Sequence, residues 1–245
     1  MPESELTAVA GQRLAVIPAR GGSQRIPRKN IRAFCGRPMI VWAIESALAS
    51  GCFDHVIVST DDEDIAEVAL SVGAEVPFRR PPALADHHTP TRPVVNHAIV
   101  EAQRLYGEIH HVCCLYATAP FVRASDLQRG LALLQQSDMD FVFTVTTFPF
   151  PIQRALRLLP TGGVGMWHPE HANTRSQDLE TAYHDAGQFY WGQAAAFLQG
   201  RDMYAARALP LVMPRYRVED IDTPEDWRRA ELLMQAMQQD LTAFP

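Results

Sequence analysis

The 245-residue sequence predicts an α/β domain, Rossmann-like, with a mostly parallel sheet flanked by helices. Three observations point there. Short apolar runs alternate with amphipathic stretches through the first 145 residues. The amphipathic stretches carry helix start and stop signals. The strand–helix–strand order then demands right-handed crossovers between parallel strands.

The elements follow in order. "RLAVIPA" (13–19) reads as a buried strand, and "PMIVWAIESALAS" (38–50) as a helix with Pro38 in its first turn and Gly51 just past its end. "HVIVST" (55–60) is a second strand and "DEDIAEVALSVG" (62–73) a second helix, with acids in its first turn. "AEVPF" (74–78) reads as a short third strand. "TRPVVNHAIVEAQRLYG" (91–107) has helical periodicity, "HHVCCLYA" (110–117) is a strand, "ASDLQRGLALLQQ" (124–136) a helix and "DFVFTVTT" (140–147) a strand. From 148 the chain turns rich in Pro, Gly and aromatics. Residues 148–190 are expected to form an inserted β-rich arm of short strands and long loops within one domain, 13–240. A last helix starts with Thr223 as cap, Pro224 in first position and Asp226 as capping acid. Residues 1–12 read as a disordered tail.

Composition narrows the function. The formal net charge of −6 argues against general nucleic-acid binding. No apolar run reaches the roughly 18 residues that a membrane helix needs. The N-terminus lacks the basic-then-apolar order of a signal peptide. Cys35, Cys52, Cys113 and Cys114 show no metal spacing and suit a reducing cytoplasm. The pairs His87–His88 and His110–His111 do not suggest a shared metal, because adjacent side chains project in different directions.

The chemistry concentrates in "ARGGSQRIPRKN" (19–30), at the carboxyl end of the first strand, where open α/β sheets bind ligands. Its glycines let backbone N–H groups approach an anion, and Arg20, Arg25, Arg28 and Lys29 suit a polyphosphate. It has neither the Walker order nor G-x-G-x-x-G. Of 22 Lys+Arg residues, Lys29 is the one lysine, so the loop keeps a compact ammonium where the chain otherwise uses guanidinium. In "EDIDT", Asp220 and Asp222 lie two apart and share a face in extended chain, as two oxygen ligands of one Mg²⁺ would. In "RRPPALADHHTPT", Pro81 and Pro82 stiffen the backbone behind Arg80.

"IPARGGSQRIPRKNI", "VIVSTDDEDIAEVA", "RRPPALADHHT" and "DIDTPEDW" resemble the CMP-nonulosonic acid synthetases, the acylneuraminate cytidylyltransferase-like family, over about residues 13–235. "CGRPMI", "FPFPIQRAL", "NTRSQDLE" and "PRYRVEDIDT" look most like its pseudaminic acid cytidylyltransferases. The resemblance implies a nucleotide-diphospho-sugar transferase type of fold and a homodimer. It implies transfer of CMP from CTP to an acidic nine-carbon sugar, with release of pyrophosphate and dependence on Mg²⁺.

By that resemblance, Ala19, Arg20, Gly21, Gly22, Ser23, Gln24, Arg25, Lys29 and Asn30 hold the nucleotide. Arg80 and Thr91 read the cytosine. Arg20, Lys29 and Asp222 act on the phosphates, and Asp220 and Asp222 hold the metal. Gln24 stands where sialic acid synthetases usually carry lysine, so Arg25 or Arg28 is expected to supply that charge. Tyr116, Thr118, Arg154, Arg175, Gln177, Asp178, His184, Asp185 and Gln188 are candidates for the sugar. Tyr116 replaces a family glutamine, which fits a sugar other than N-acetylneuraminate. A legionaminate, sialate or 3-deoxy-octulosonate synthetase, and a non-catalytic nucleotide-binding regulator, remain as alternatives.

Overall fold

The computed structural model describes residues 11–239. The tail expected over 1–12 lies outside these residues except for its last two, and Gln12 already opens the first strand.

A six-stranded sheet runs through the centre. Its strands are β1 (Gln12–Pro18), β4 (His55–Ser59), β5 (Ile109–Leu115), β6 (Phe141–Thr147), β9 (Tyr183–Gln193) and β10 (Ala208–Val212), in the order β10-β6-β9-β5-β1-β4. β1 is parallel to both β4 and β5, and β10 is parallel to β6. β9 enters antiparallel between β5 and β6. Strands β2 (Ala33–Phe34) and β3 (Arg37–Pro38) make a small hairpin, and β7 (Leu156–Leu158) and β8 (Val164–Met166) another.

Five α-helices fall where the periodicity puts them, and a short one at Ala194–Leu198 was not expected. α1 (Met39–Ser50) ends on Gly51, whose left-handed backbone (φ 63°) a side chain would strain. α2 (Glu63–Ser71) is capped by Asp62, whose carboxylate accepts the Ile65 N–H. α3 spans Thr91–Tyr106, α4 Ala124–Gln135 and α5 Ala194–Leu198. In α6 (Pro224–Gln239) the Asp226 N–H donates to Thr223 Oγ1 at 3.2 Å, and the Thr223 N–H returns to Asp226 Oδ2 at 2.8 Å. None of the described helices is long and apolar enough to cross a membrane.

One face of the sheet packs Ala15, Ile17 and Trp191 against α1 and α4. The other packs Val16, Cys114 and Tyr190 against α3 and α5. A third apolar cluster joins Ile26, Phe34, Met39 and Phe121 to Ile221 and Trp227. It fastens the loop after β1 to the segment before α6.

Two expectations change. The strand expected over 74–78 shrinks to one bridge, Ile57 to Glu75, because Pro77 has no N–H to continue a ladder. The arm expected over 148–190 ends sooner, since Tyr183–Gln193 is a central strand of the main sheet. Gly187 (φ 61°) and a break in register against β6 between Phe143 and Val145 bulge this strand, and the bulge hides its period in the sequence.

Candidate active site

The loop after β1 is folded from behind rather than left open. Ile26 is buried in the third cluster. The Asn30 amide donates to the Arg20 carbonyl at 2.9 Å, and the Asn30 carbonyl accepts the Ile40 N–H at 2.8 Å. Gly21 lies so close to Asp62 that a Cβ there would sit 2.4 Å from Asp62 Oδ2.

The expected backbone cradle is partly used up. The N–H groups of Ala19, Gly21 and Ser23 donate to Ser59 O, Asp61 Oδ1 and Gly21 O at 2.9, 3.1 and 3.0 Å. Positive charge at this site therefore comes chiefly from side chains. Arg28 is diverted: it adopts φ 56° and its guanidinium grips Asp62 and Asp64 at the start of α2. That pairing holds the Asp62 carboxyl below the usual carboxylate range. Arg25 instead reaches Asp222 Oδ2 at 2.9 Å. Of the two arginines expected to stand in for the lysine missing at Gln24, Arg25 is the one on the cavity. Gln24 itself bonds His87 at 2.8 Å.

The resulting cavity, about 330 Å³, is lined by Arg20, Ser23, Arg25, Lys29, Asn30, Arg80, Thr91, Tyr116, Thr118 and Asp222, among others. It lies at the carboxyl ends of β1 and β5, as ligand sites in such sheets do. Lys29 Nζ donates to Ile221 O at 2.7 Å and Asp222 Oδ1 at 3.2 Å, joining residues 192 and 193 positions apart. Arg20 donates to the Asp86 carbonyl at 2.7 Å. Arg80 is buried and donates to Ser59, and burial lowers its pKa to about 10. Its charge is poorly hydrated and available to an anionic or electron-rich ligand.

Asp220 and Asp222 divide two cavities. Asp222 lines the one just described, and Asp220 lines a neighbour of about 840 Å³ with His184, Asp185, Arg215, Glu219 and Arg229. Ile221 between them points into the third cluster, so both carboxylates face away from the core. Burial first, and then the charge of Asp222, push the Asp220 carboxyl above its ordinary range. Two neighbouring carboxylates with that tension fit a divalent cation. Mg²⁺ usually takes one or two carboxylates and completes its shell with water and substrate phosphates. Among the described residues no group of three or more His, Cys, Asp or Glu is placed to hold a metal, so the pair is the candidate.

The sugar candidates separate. Tyr116 and Thr118 line the first cavity, and His184 and Asp185 the second. Gln188 is a core residue: the bulge turns it inward, where its side-chain amide donates to the Arg217 carbonyl and its backbone carbonyl accepts the Tyr116 N–H. Arg154, Arg175, Gln177 and Asp178 sit on the arm, outside both cavities. Arg175 pairs with Asp178 at 2.9 Å and Arg154 lies 3.3 Å from Ser176.

Sequence reasoning missed three groups. Asp61 takes the Gly21 N–H; its place just past the β4 carboxyl end was the available signal. His87 and Asp86 close one wall of the first cavity. The buried pair Arg217–Asp126, at 2.6 and 3.0 Å, anchors the turn Arg215–Arg217 that leads into Asp220. A separation of 91 residues left no local sign of it.

Comparison with known proteins shows the family and the fold. Residues 14–242 match the family described as cytidylyltransferase. A pseudaminic acid cytidylyltransferase of Campylobacter jejuni is 46% identical over 220 residues, covering 90% of this chain and 95% of that protein. A CMP-N,N'-diacetyllegionaminic acid synthase of Legionella pneumophila is 31% identical over 236 residues, covering 93% and 98%. A CMP:2-keto-3-deoxy-manno-octonic acid synthetase solved with CTP shares the fold, with TM-score 0.68 and 16% identity over 92% of this chain and 99% of that one. The chain belongs to the cytidylyltransferase family.

Proposed function

We propose that this enzyme transfers CMP from CTP to pseudaminic acid, giving CMP-pseudaminic acid and pyrophosphate. The observation that carries the reading is the Lys29–Asp222 contact at the rim of a cation-lined cavity, in a chain so similar to a pseudaminic acid cytidylyltransferase. The anomeric oxygen of the sugar attacks the α-phosphorus in line. The new P–O bond forms as the bond to the bridging oxygen of pyrophosphate breaks, and the hydroxyl proton passes to solvent.

Catalysis is mainly positioning and electrostatics. Arg20, Arg25 and Lys29 balance charge on the triphosphate, and Lys29 also fixes Asp222. Arg80 and Thr91 read the base. Tyr116, Thr118, His184 and Asp185 face the sugar. Asp220 and Asp222 would hold Mg²⁺, which supplies charge neutralisation at the phosphates.

The arm supports a homodimer. It exposes Phe150 at 80%, Leu158 at 84%, Val164 at 63% and Trp167 at 59%, more apolar surface than a lone arm keeps in water. Arg154, Arg175, Gln177 and Asp178 would then serve a sugar from the interface. The four thiols are all free, which suits the cytoplasm.

Pyrophosphate release measured across four NTPs and several acidic sugars tests the reading. CTP with pseudaminic acid should give the highest kcat/KM. Preference for legionaminate, sialate or a 3-deoxy-octulosonate would reassign the sugar, and no release with any pair would sink the enzymatic reading.

A further inference from the structure

Arg28 and Lys29 are neighbours in sequence, yet they bind acids on different parts of the fold. Lys29 Nζ reaches Ile221 O and Asp222 Oδ1, at 2.7 and 3.2 Å, on the segment before α6. The Arg28 guanidinium donates to both oxygens of Asp62, Oδ1 at 3.1 Å, and to Asp64 Oδ2 at 2.6 Å, at the start of α2. Asp62 is itself fixed. Its N–H donates to Thr60 Oγ1 at 3.1 Å, and its Oδ1 accepts the Ile65 N–H at 3.1 Å. It also fills the space that a side chain on Gly21 would need. One carboxylate thus ties both the start and the end of the loop to α2.

The backbone of Arg28 is a second, independent observation. Its φ of 56° is a left-handed conformation that residues with a side chain adopt only at a cost. The Arg28 carbonyl accepts the Ile31 and Arg32 N–H groups at 3.0 and 2.8 Å and closes the turn. Glycine would adopt this φ freely. The chain places an arginine there instead and fastens its side chain. Arg20, Arg25 and Lys29 line the first cavity, and Arg28 does not. On the other flank, Asn30 is tied to the Arg20 carbonyl and the Ile40 N–H. Lys29 therefore projects from a backbone anchored on both sides.

We propose that Arg28 is a positioning residue for the transfer: its grip on Asp62 and Asp64 holds the left-handed turn, and the turn aims Lys29 at Asp222 and the transferring phosphate. Arg28 touches no substrate in this scheme. A misaimed cation loses rate more than affinity, because the charge it meets grows in the transition state. The proposal rests on the nucleotidyltransferase reading of the cavity.

The test uses the full chain with Arg28→Met, read in two ways. Lys29 is the one lysine of the chain, so protein carrying lysine isotope-labelled at Cε gives a single lysine signal by nuclear magnetic resonance. That signal reports the surroundings of the ammonium without any substrate. Arg28→Met should move it toward the position of lysine in an unfolded peptide, with the circular dichroism spectrum unchanged. In pyrophosphate release, Arg28→Met should lower kcat about tenfold or more, with KM for CTP held within about threefold. In a Lys29→Met background the same change should cost less than about threefold, because the residue it aims is gone. Arg28→Gly allows the turn without holding it, so its kcat should fall like that of Arg28→Met. Should Arg28→Met fold poorly, Arg28→Gly, which takes the left-handed turn without strain, carries the same readings.

The role is overturned if the lysine signal stays in place, or if kcat changes by less than about threefold. It is overturned if Arg28→Gly has wild-type kcat, since the grip would then be dispensable. Losses from Arg28→Met and Lys29→Met that multiply would also overturn it, because Arg28 would then act independently of Lys29. Wild type releasing no pyrophosphate would overturn the reading of the cavity and the catalytic part of the proposal with it. The lysine signal alone would then decide whether Arg28 aims Lys29.

Discussion

Arg217→Met should weaken both the fold and the site, and its size follows from the surroundings of Arg217. Arg217 is 4% exposed and its guanidinium pairs with Asp126, which is 1% exposed, through two hydrogen bonds of 2.6 and 3.0 Å. Removing one partner of a buried pair costs about 3–5 kcal/mol, and Asp126 would keep only the more distant Arg129, 3.8 Å from its Oδ1, among its ion-pair partners in the described residues. Arg217 Nε is itself buried without a partner, so its removal returns ~1 kcal/mol. A net loss of about 3 kcal/mol remains. For a chain of this size that lowers Tm by roughly 6–12 °C. Circular dichroism melting at one fixed protein concentration reads it.

The double variant Arg217→Met/Asp126→Leu removes both charges and should recover most of the loss. It keeps a deficit of about 1 kcal/mol, because Asp126 also accepts the Arg123 N–H at the start of α4. The turn Arg215–Arg217 leads directly into Asp220 and Asp222, so kcat should fall in the single variant well below the melting temperature. A Tm within about 2 °C of wild type for Arg217→Met would refute this reasoning. So would a double variant no more stable than the two single losses added together.

Lys29→Met should lower kcat by about 10²–10³, as loss of a transition-state charge does, and Lys29→Arg should not restore it, because a guanidinium cannot sit between Ile221 O and Asp222 Oδ1 as the ammonium does. Steady-state pyrophosphate release checks both. Asp222→Asn should cut turnover by a similar ~10²-fold and raise the Mg²⁺ needed for half-maximal rate; near-normal turnover at saturating Mg²⁺ would remove it from the metal site. Arg80→Lys should make CTP affinity pH-dependent. The burial that brings Arg80 to about 10 would bring a lysine to roughly 8, so its charge and its share of binding are present below pH ~8 and fade above it. Calorimetry from pH 7 to 9 should show affinity falling in the variant and flat in wild type. Leu158→Asp on the arm should shift light scattering toward one chain mass, 27.3 kDa.

The sequence was most informative where structure is local. Gly51, Asp62 and the Thr223–Asp226 box are signals within one turn of the helix they bound, and each sits at its helix end. That loop 19–30 would border a cavity was legible, because such sheets open their clefts at the carboxyl ends of the strands. Its inner wiring was not. Arg20, Arg25, Arg28 and Lys29 look alike on paper, yet partners dozens of positions away or more draw Arg28 off to Asp62 and Asp64, Arg20 to Asp86, and Arg25 and Lys29 to Asp222. β9 was hidden for a related reason. "YHDAGQFYWGQ" mixes strand and turn residues because it carries a bulge, and only pairing with β5 and β6 makes it a strand. The role of Gln188 depends on that bulge and was therefore unreadable as well.

The loop after β1 is held at several points before any nucleotide arrives: by Ile26 in a core, by Arg28 on Asp62 and Asp64, and by Asn30 on two backbones. Fixing a residue's backbone costs about 1–2 kcal/mol in conformational entropy, so a mobile loop of this length would subtract heavily from binding. Here that loss is taken when the chain folds. Nucleotide capture becomes a matter of diffusion and charge, a single kinetic phase whose rate falls as ionic strength rises.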